Sequence, residues 1–132
     1  MKRFLAYVLV LVLTMCIYVN MRAKAEISPY STETFRSTSI AFYDTGKATF
    51  SALLKYECPT VAVSSCILQK QENGQWVFAA YLTPPPSKSN TSRYSAQKDY
   101  SASMTHDITY RIIATFTADG ESVTTTSSSA DY

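Results

Sequence analysis

The chain has 132 residues, with twelve Lys or Arg against ten Asp or Glu and a formal charge of +2. Four of the twelve basic residues (Lys2, Arg3, Arg22 and Lys24) lie in the first 25 positions, so the remainder carries eight basic and ten acidic residues and a charge of −2. That balance excludes a basic footprint for nucleic acid or anionic lipid, and the remaining length suits one domain around one core.

Lys2 and Arg3 precede an almost unbroken apolar run from Phe4 to Val19, and Ala23-Lys24-Ala25 supplies a small-x-small cleavage pattern. Residues 1–25 therefore read as a secretory signal peptide with Glu26 as the mature N-terminus, which takes Cys16 out of the folded domain. An uncleaved anchor is the alternative, since the run is near the lower length limit for a spanning helix. Leu13-Thr14-Met15-Cys16 also loosely resembles a lipobox, although Met15 is bulky for the position before the cysteine. The expected location is secreted or extracellular, with the cell envelope included. The membrane enters only through the signal segment if it is retained.

Residues 26–36 read as an N-terminal arm and 37–132 as an all-β domain. Alternation with period two marks Thr38–Tyr43, Lys47–Lys55, Val63–Lys70, Gln75–Leu82, Arg93–Ser101, Ile108–Ala118 and Ser122–Ser128. The pattern is clearest where Ala48, Phe50, Ala52 and Leu54 share one face, and where Ile108, Tyr110, Ile112, Ala114 and Phe116 share another. Ile113 interrupts the polar face of its strand and hints that this strand is central or partly covered. Asp44-Thr45-Gly46, Asn73-Gly74 and Asp119-Gly120 supply turn chemistry between these runs. Thr83-Pro84-Pro85-Pro86-Ser87 through Ser92 reads as a crossing loop, because prolines cannot donate to a ladder. Seven short strands with such turns predict a β-sandwich.

His106-Asp107-Ile108-Thr109-Tyr110-Arg111-Ile112-Ile113-Ala114, followed by Asp119-Gly120-Glu121-Ser122, resembles the last two strands of fibronectin type III and related immunoglobulin-like domains. The resemblance implies a seven-stranded sandwich of that kind, with Tyr110 as the tyrosine corner that bonds back to nearby backbone. It covers the C-terminal third, and the early core Trp of those folds is missing, the lone Trp76 lying after the Asn73-Gly74 turn. The overall layout is also similar to a family of uncharacterised small secreted proteins of clostridium-like Gram-positive bacteria, which implies export and a sandwich but no activity.

Cys58 and Cys66 are the cysteines left after cleavage, and an exported pair is expected to be oxidised. A bridge between them would pin a loop around Pro59 and contribute about 2.5 kcal/mol on the disputed chain-entropy account. Seven intervening residues fit neither redox Cys-x-x-Cys chemistry nor zinc-ligand spacing.

Catalysis has little to stand on. His106 is the one histidine of the chain, and there is no Gly-x-Ser-x-Gly elbow to present a nucleophile. The carboxylates mostly flank turns. Asp44, Asp107 and Asp119 invite a calcium reading, but turn formation explains them more simply. The expectation is therefore no enzyme, no metal and no cofactor.

What remains is recognition by surface. Tyr30, Tyr43, Tyr56, Tyr81, Tyr94, Tyr100, Tyr110 and Tyr132 make the mature chain rich in a ring that is apolar on its faces and polar at its tip. Tyr94, Ala96, Lys98 and Tyr100 share one face of their strand, and Tyr94, Lys98 and Tyr100 form a candidate strip for an unknown protein or glycan ligand. The competing reading places these rings in the core. Trp76, Phe78, Ala80 and Leu82 are expected to pack inward together. A structural or ligand-like role through pairing at the Ser122–Ser129 edge is the second function class.

Overall fold

Alternation of apolar and polar residues writes most of the architecture, because successive side chains on a strand point to opposite faces. The computed structural model describes residues 32–132. The signal segment 1–25, Cys16 and residues 26–31 of the arm lie outside them. About 70% of the described residues are strand, in one antiparallel sheet with a half-barrel curl. The strands are β1 (Phe35–Phe42), β2 (Lys47–Glu72), β3 (Gln75–Tyr81), β4 (Lys88–Asp99), β5 (Thr109–Ala118), β6 (Glu121–Thr126) and β7 (Ala130–Asp131).

Strand β2 organises the sheet. Its first part, from Lys47 to Leu54, lies between β1 and β4. Its last part lies between β3 and β5, and β5 in turn pairs with β6 and β7. Between Leu53 and Cys58 the register against β4 shifts, and the exposed Lys55, Tyr56 and Glu57 stand outside the ladder. Such an irregularity bends a strand and increases its local twist. The chain thereby passes from one wing of the sheet to the other, and the inner faces of the wings meet. Phe50 from the first wing sits 6.4 Å from Phe116 of the second, and Tyr94 meets Phe116 edge-on at 6.4 Å. Phe50, Leu68, Ile112 and Phe116 are fully buried, each worth about 1.5–3 kcal/mol relative to exposure.

The long β2 corrects two expectations. The second and third predicted strands are one strand, and the loop expected around Pro59 is extended backbone. Proline is tolerated there because β2 pairs only with β4 between Cys58 and Thr60, the β5 ladder starting at Val61. On that side no ladder bond is lost. The Cys58–Cys66 disulfide is corrected with it. Both cysteines are buried free thiols. Eight residues of extended strand span about 26 Å, well beyond the roughly 7 Å between Cα atoms that a bridge can reach.

The predicted crossing loop is also shorter than expected. Lys88–Ser92 belongs to β4, and Lys88, Ser89 and Thr91 pair with Val61, Thr60 and Cys58. Strand β1 starts at Phe35, inside the segment read as an arm. On β5 the alternation holds throughout: Tyr110, Ile112, Ala114, Phe116 and Ala118 are buried, and Ile113 is half-buried on the other face.

Candidate functional site

Strand β3, Gln75–Tyr81, follows the Asn73-Gly74 turn, where both residues take positive φ (52° and 75°). Strict alternation would send Trp76, Phe78 and Ala80 to one face. The register instead shifts opposite Leu68 and Gln69: Ala80 pairs with Leu68, but Phe78 pairs with Gln69, leaving Ala79 as the extra residue. Leu68 is buried in the core, so Ala80 faces inward and Phe78 faces outward. The same shift places Tyr81 opposite Ile67, again on the outer face. Trp76, Phe78 and Tyr81 therefore share the outside of the second wing, and the expectation that Phe78 packs inward is corrected.

The pairings lay this face out in rows. Tyr81 is followed across the sheet by Ile67, Ile113 and Thr126, and Phe78 by Gln69 and Arg111. Trp76 stands beside Gln71. Phe78 is 53% exposed and Tyr81 81%, with ring centroids 4.8 Å apart. The Arg111 guanidinium lies 4.4 Å over the Trp76 ring, and its Nε donates to Gln69 Oε1 at 2.8 Å. A cation over an indole face is attracted by the ring quadrupole, so the guanidinium is held in one place by two neutral partners. The result is a column of three rings on an edge strand, with a fixed cation and carboxamides beside it.

The candidate strip read from the sequence is elsewhere. Tyr94, Lys98 and Tyr100 do share a face of the β4 segment, but it is the inner one. Tyr94 is 2% exposed and Tyr100 5%, which corrects their assignment to a binding surface. Tyr94 donates its hydroxyl proton to the Pro86 carbonyl at 2.8 Å, and Tyr100 to the Thr83 carbonyl at 2.7 Å. These bonds tie the proline segment down and let phenols be buried. Burial raises both hydroxyl pKa values, with the nearby Cys66 adding to the effect on Tyr100. Lys98 is half-buried beside Lys47 and Asp99 at the end of the strand.

The other candidates resolve as follows. Tyr110 is buried, and its hydroxyl accepts the Thr105 N–H at 2.9 Å. Burial pushes the Cys66 thiol up to about 11 and also raises Cys58, so neither presents a ready thiolate. His106 stacks flat on Tyr132, with centroids 4.5 Å apart and an angle of 5° between the planes. Asp107 and Asp119 hold positive φ at turns, and no group of three His, Cys, Asp or Glu among the described residues could hold a metal ion. Tyr56 donates to Asp119 at 2.5 Å and shares a hydrogen bond with Thr34.

The edges of the sheet differ in how open they are. The outer side of β6 faces β1 through the Thr38–Thr125 hydroxyl pair, and Glu121 accepts the N–H of Thr34, just ahead of β1, at 3.1 Å. These are side-chain contacts, and among the described residues β6 has a backbone ladder only with β5. Among the described residues β3 pairs only with β2, and its seven residues carry no charge and no proline. No protein-family model, curated protein or solved structure matches the chain.

Proposed function

We propose that this protein is an exported, non-catalytic recognition module whose contact surface is the outer face of β3, β2 and β5. The observation that carries the reading is the exposed Phe78–Tyr81 pair beside an Arg111 that is already fixed on Trp76. Trp, Tyr and Arg are the residue types that concentrate binding energy at contact surfaces, and exposed aromatic patches on a small domain mark interaction sites. Export rests on Lys2 to Ala25 alone, since the free thiols of Cys58 and Cys66 lend it no support. The meeting of the two wings around Phe50 and Phe116, together with the Tyr110–Thr105 bond, supports kinship with fibronectin-type and immunoglobulin-like sandwiches. Among the described residues the thiols of Cys58 and Cys66 are buried with raised pKa values and His106 lies flat on Tyr132, which favours binding over catalysis.

The test is sedimentation of the protein with envelopes of the producing cells, comparing wild type with the double variant Phe78→Ser/Tyr81→Ser. Both side chains are exposed, so the variant should melt within a few degrees of wild type while losing most of its envelope binding. Equal binding at matched stability would refute this surface. Sheet-edge pairing is the second reading, now favoured at β3 by its uncharged, unpaired outer edge. It predicts a complex that survives Tyr81→Ser but is lost on Val77→Pro.

A further inference from the structure

We infer that the outer face binds an acidic polysaccharide, with Arg111 on a sugar carboxylate and the rings of Phe78 and Tyr81 against the pyranose. This rests on the recognition reading above and names its ligand class.

The outer face interleaves polar and apolar rows instead of gathering its apolar residues at one centre. Protein–protein contacts place apolar residues at the centre and polar ones around the rim. Here the face is mixed row by row: the rings stand on the edge strand, Ile67 and Ile113 lie inside Tyr81, and Gln69, Gln71 and Arg111 lie inside Phe78 and Trp76. A sugar chain suits that mixture, because each pyranose has an apolar face for a ring and equatorial hydroxyls for carboxamides. Trp76 to Tyr81 covers about 15 Å along one strand, so the aromatic column is linear and favours a chain lying parallel to β3.

Charge selects the acidic class. Arg111 is held by Trp76 and by the neutral Gln69, while the ion pair among the described residues joins Lys70 to Glu72. Asp131, which the β5–β7 pairing places opposite Thr109, accepts the Thr109 hydroxyl at 2.5 Å. A guanidinium engaged through Nε keeps its two terminal nitrogens as a planar fork, which matches a carboxylate side-on. Because Trp76 and Gln69 already fix it, little side-chain freedom is lost on binding.

The experiment is native affinity electrophoresis of the protein through gels containing polygalacturonate, alginate or fully methyl-esterified polygalacturonate. The methyl ester keeps the ring and masks the carboxylate, so it tests the charge on the unaltered protein. Expected is retardation by the two acidic polymers, little by the ester, and weakening as salt is raised. Arg111→Gln should weaken binding by about tenfold or more, and Phe78→Ser/Tyr81→Ser by a similar factor. Equal retardation by acid and ester, or an Arg111→Gln variant that binds like wild type, overturns the carboxylate assignment. It would leave the recognition face standing if the double variant still fails to bind envelopes. Absence of retardation by both acidic polymers, with envelope binding that protease treatment of the envelopes abolishes, makes the partner a protein and overturns the glycan inference alone. Envelope binding that the double variant retains removes the face itself.

Discussion

Gly46→Ala separates backbone strain from steric conflict in this fold. Gly46 closes the β1–β2 hairpin: its N–H bonds the Tyr43 carbonyl at 3.0 Å, and its own carbonyl accepts the Tyr100 N–H at 2.9 Å. Its φ is +83°, and a Cβ built there would lie 2.8–2.9 Å from Ser101 N, Cα and Cβ. Gly74 and Gly120 both have φ of +75° with nothing within 4 Å of a Cβ, so they serve as internal controls. A left-handed conformation costs an alanine about 1–2 kcal/mol, partly offset by about 0.4–1 kcal/mol from the stiffer unfolded chain. Gly74→Ala and Gly120→Ala should each therefore lose about 1 kcal/mol. Gly46→Ala adds an overlap with backbone atoms, typically about 1–3 kcal/mol, for a total near 2–4 kcal/mol. For a domain of this size that is a fall in Tm of roughly 10–25 °C, against roughly 4–8 °C for the controls. Urea and thermal melts of the three variants measure it. A Gly46→Ala variant as stable as Gly120→Ala would refute the claim that the Ser101 turn is packed against this hairpin.

Two further predictions address groups whose chemistry the fold has altered. Because Cys58 is fully buried and Cys66 is 3% exposed with its thiol raised to about 11, iodoacetamide should leave both unmodified in the native protein at pH 8 and add to both in denaturant; a mass two hydrogens light would show a disulfide and a different path for β2. The bonds from Thr34 hold the Glu121 carboxyl below its ordinary range, so its contribution is full above about pH 4.5 and fades as pH falls through the lower folded value. Glu121→Gln should consequently flatten the acid limb of a stability–pH curve, and an unchanged limb would place the acid sensitivity elsewhere.

Which residues share a face was legible in the sequence; which way that face points often was not. Period two grouped Tyr94 with Tyr100 and Phe50 with Ala48, but periodicity is symmetric between inside and outside. The β4 strip was open to either reading until its pairing with Ala52 and Ala48 fixed the inner side. The β2–β4 ladder beyond Cys58 was hidden for another reason. Pro59 and the exposed Lys55–Glu57 look like a loop in sequence, and only the one-sided pairing at that point explains how a strand continues through them. The disulfide expectation shared this error, since spacing along a chain says little until the intervening backbone is known to be extended. The candidate site was missed through Ala79. A bulge residue carries no mark of its own, so alternation carried past it assigned Phe78 to the core. The one hint in the sequence was Tyr81, out of phase with Trp76 and Phe78.

That single extra residue is the reason the outer face is proposed as the contact surface. A strand end that merely completed a core would bury its rings, each worth about 1.5–3 kcal/mol, and an unbroken register would have carried Phe78 and Ala80 to one side and Tyr81 to the other. Instead the bulge keeps Ala80 and Leu82 inside, where they pack against Leu68 and the rest of the core, while turning both large rings outward onto one surface. Bulges commonly re-aim side chains beside binding and active sites. Folding stability alone gives no benefit from exposing Phe78 and Tyr81 next to a guanidinium fixed on Trp76. A ligand that covers the rings and meets the charge does, which is why the same three positions, Phe78, Tyr81 and Arg111, carry both the proposed surface and its proposed ligand.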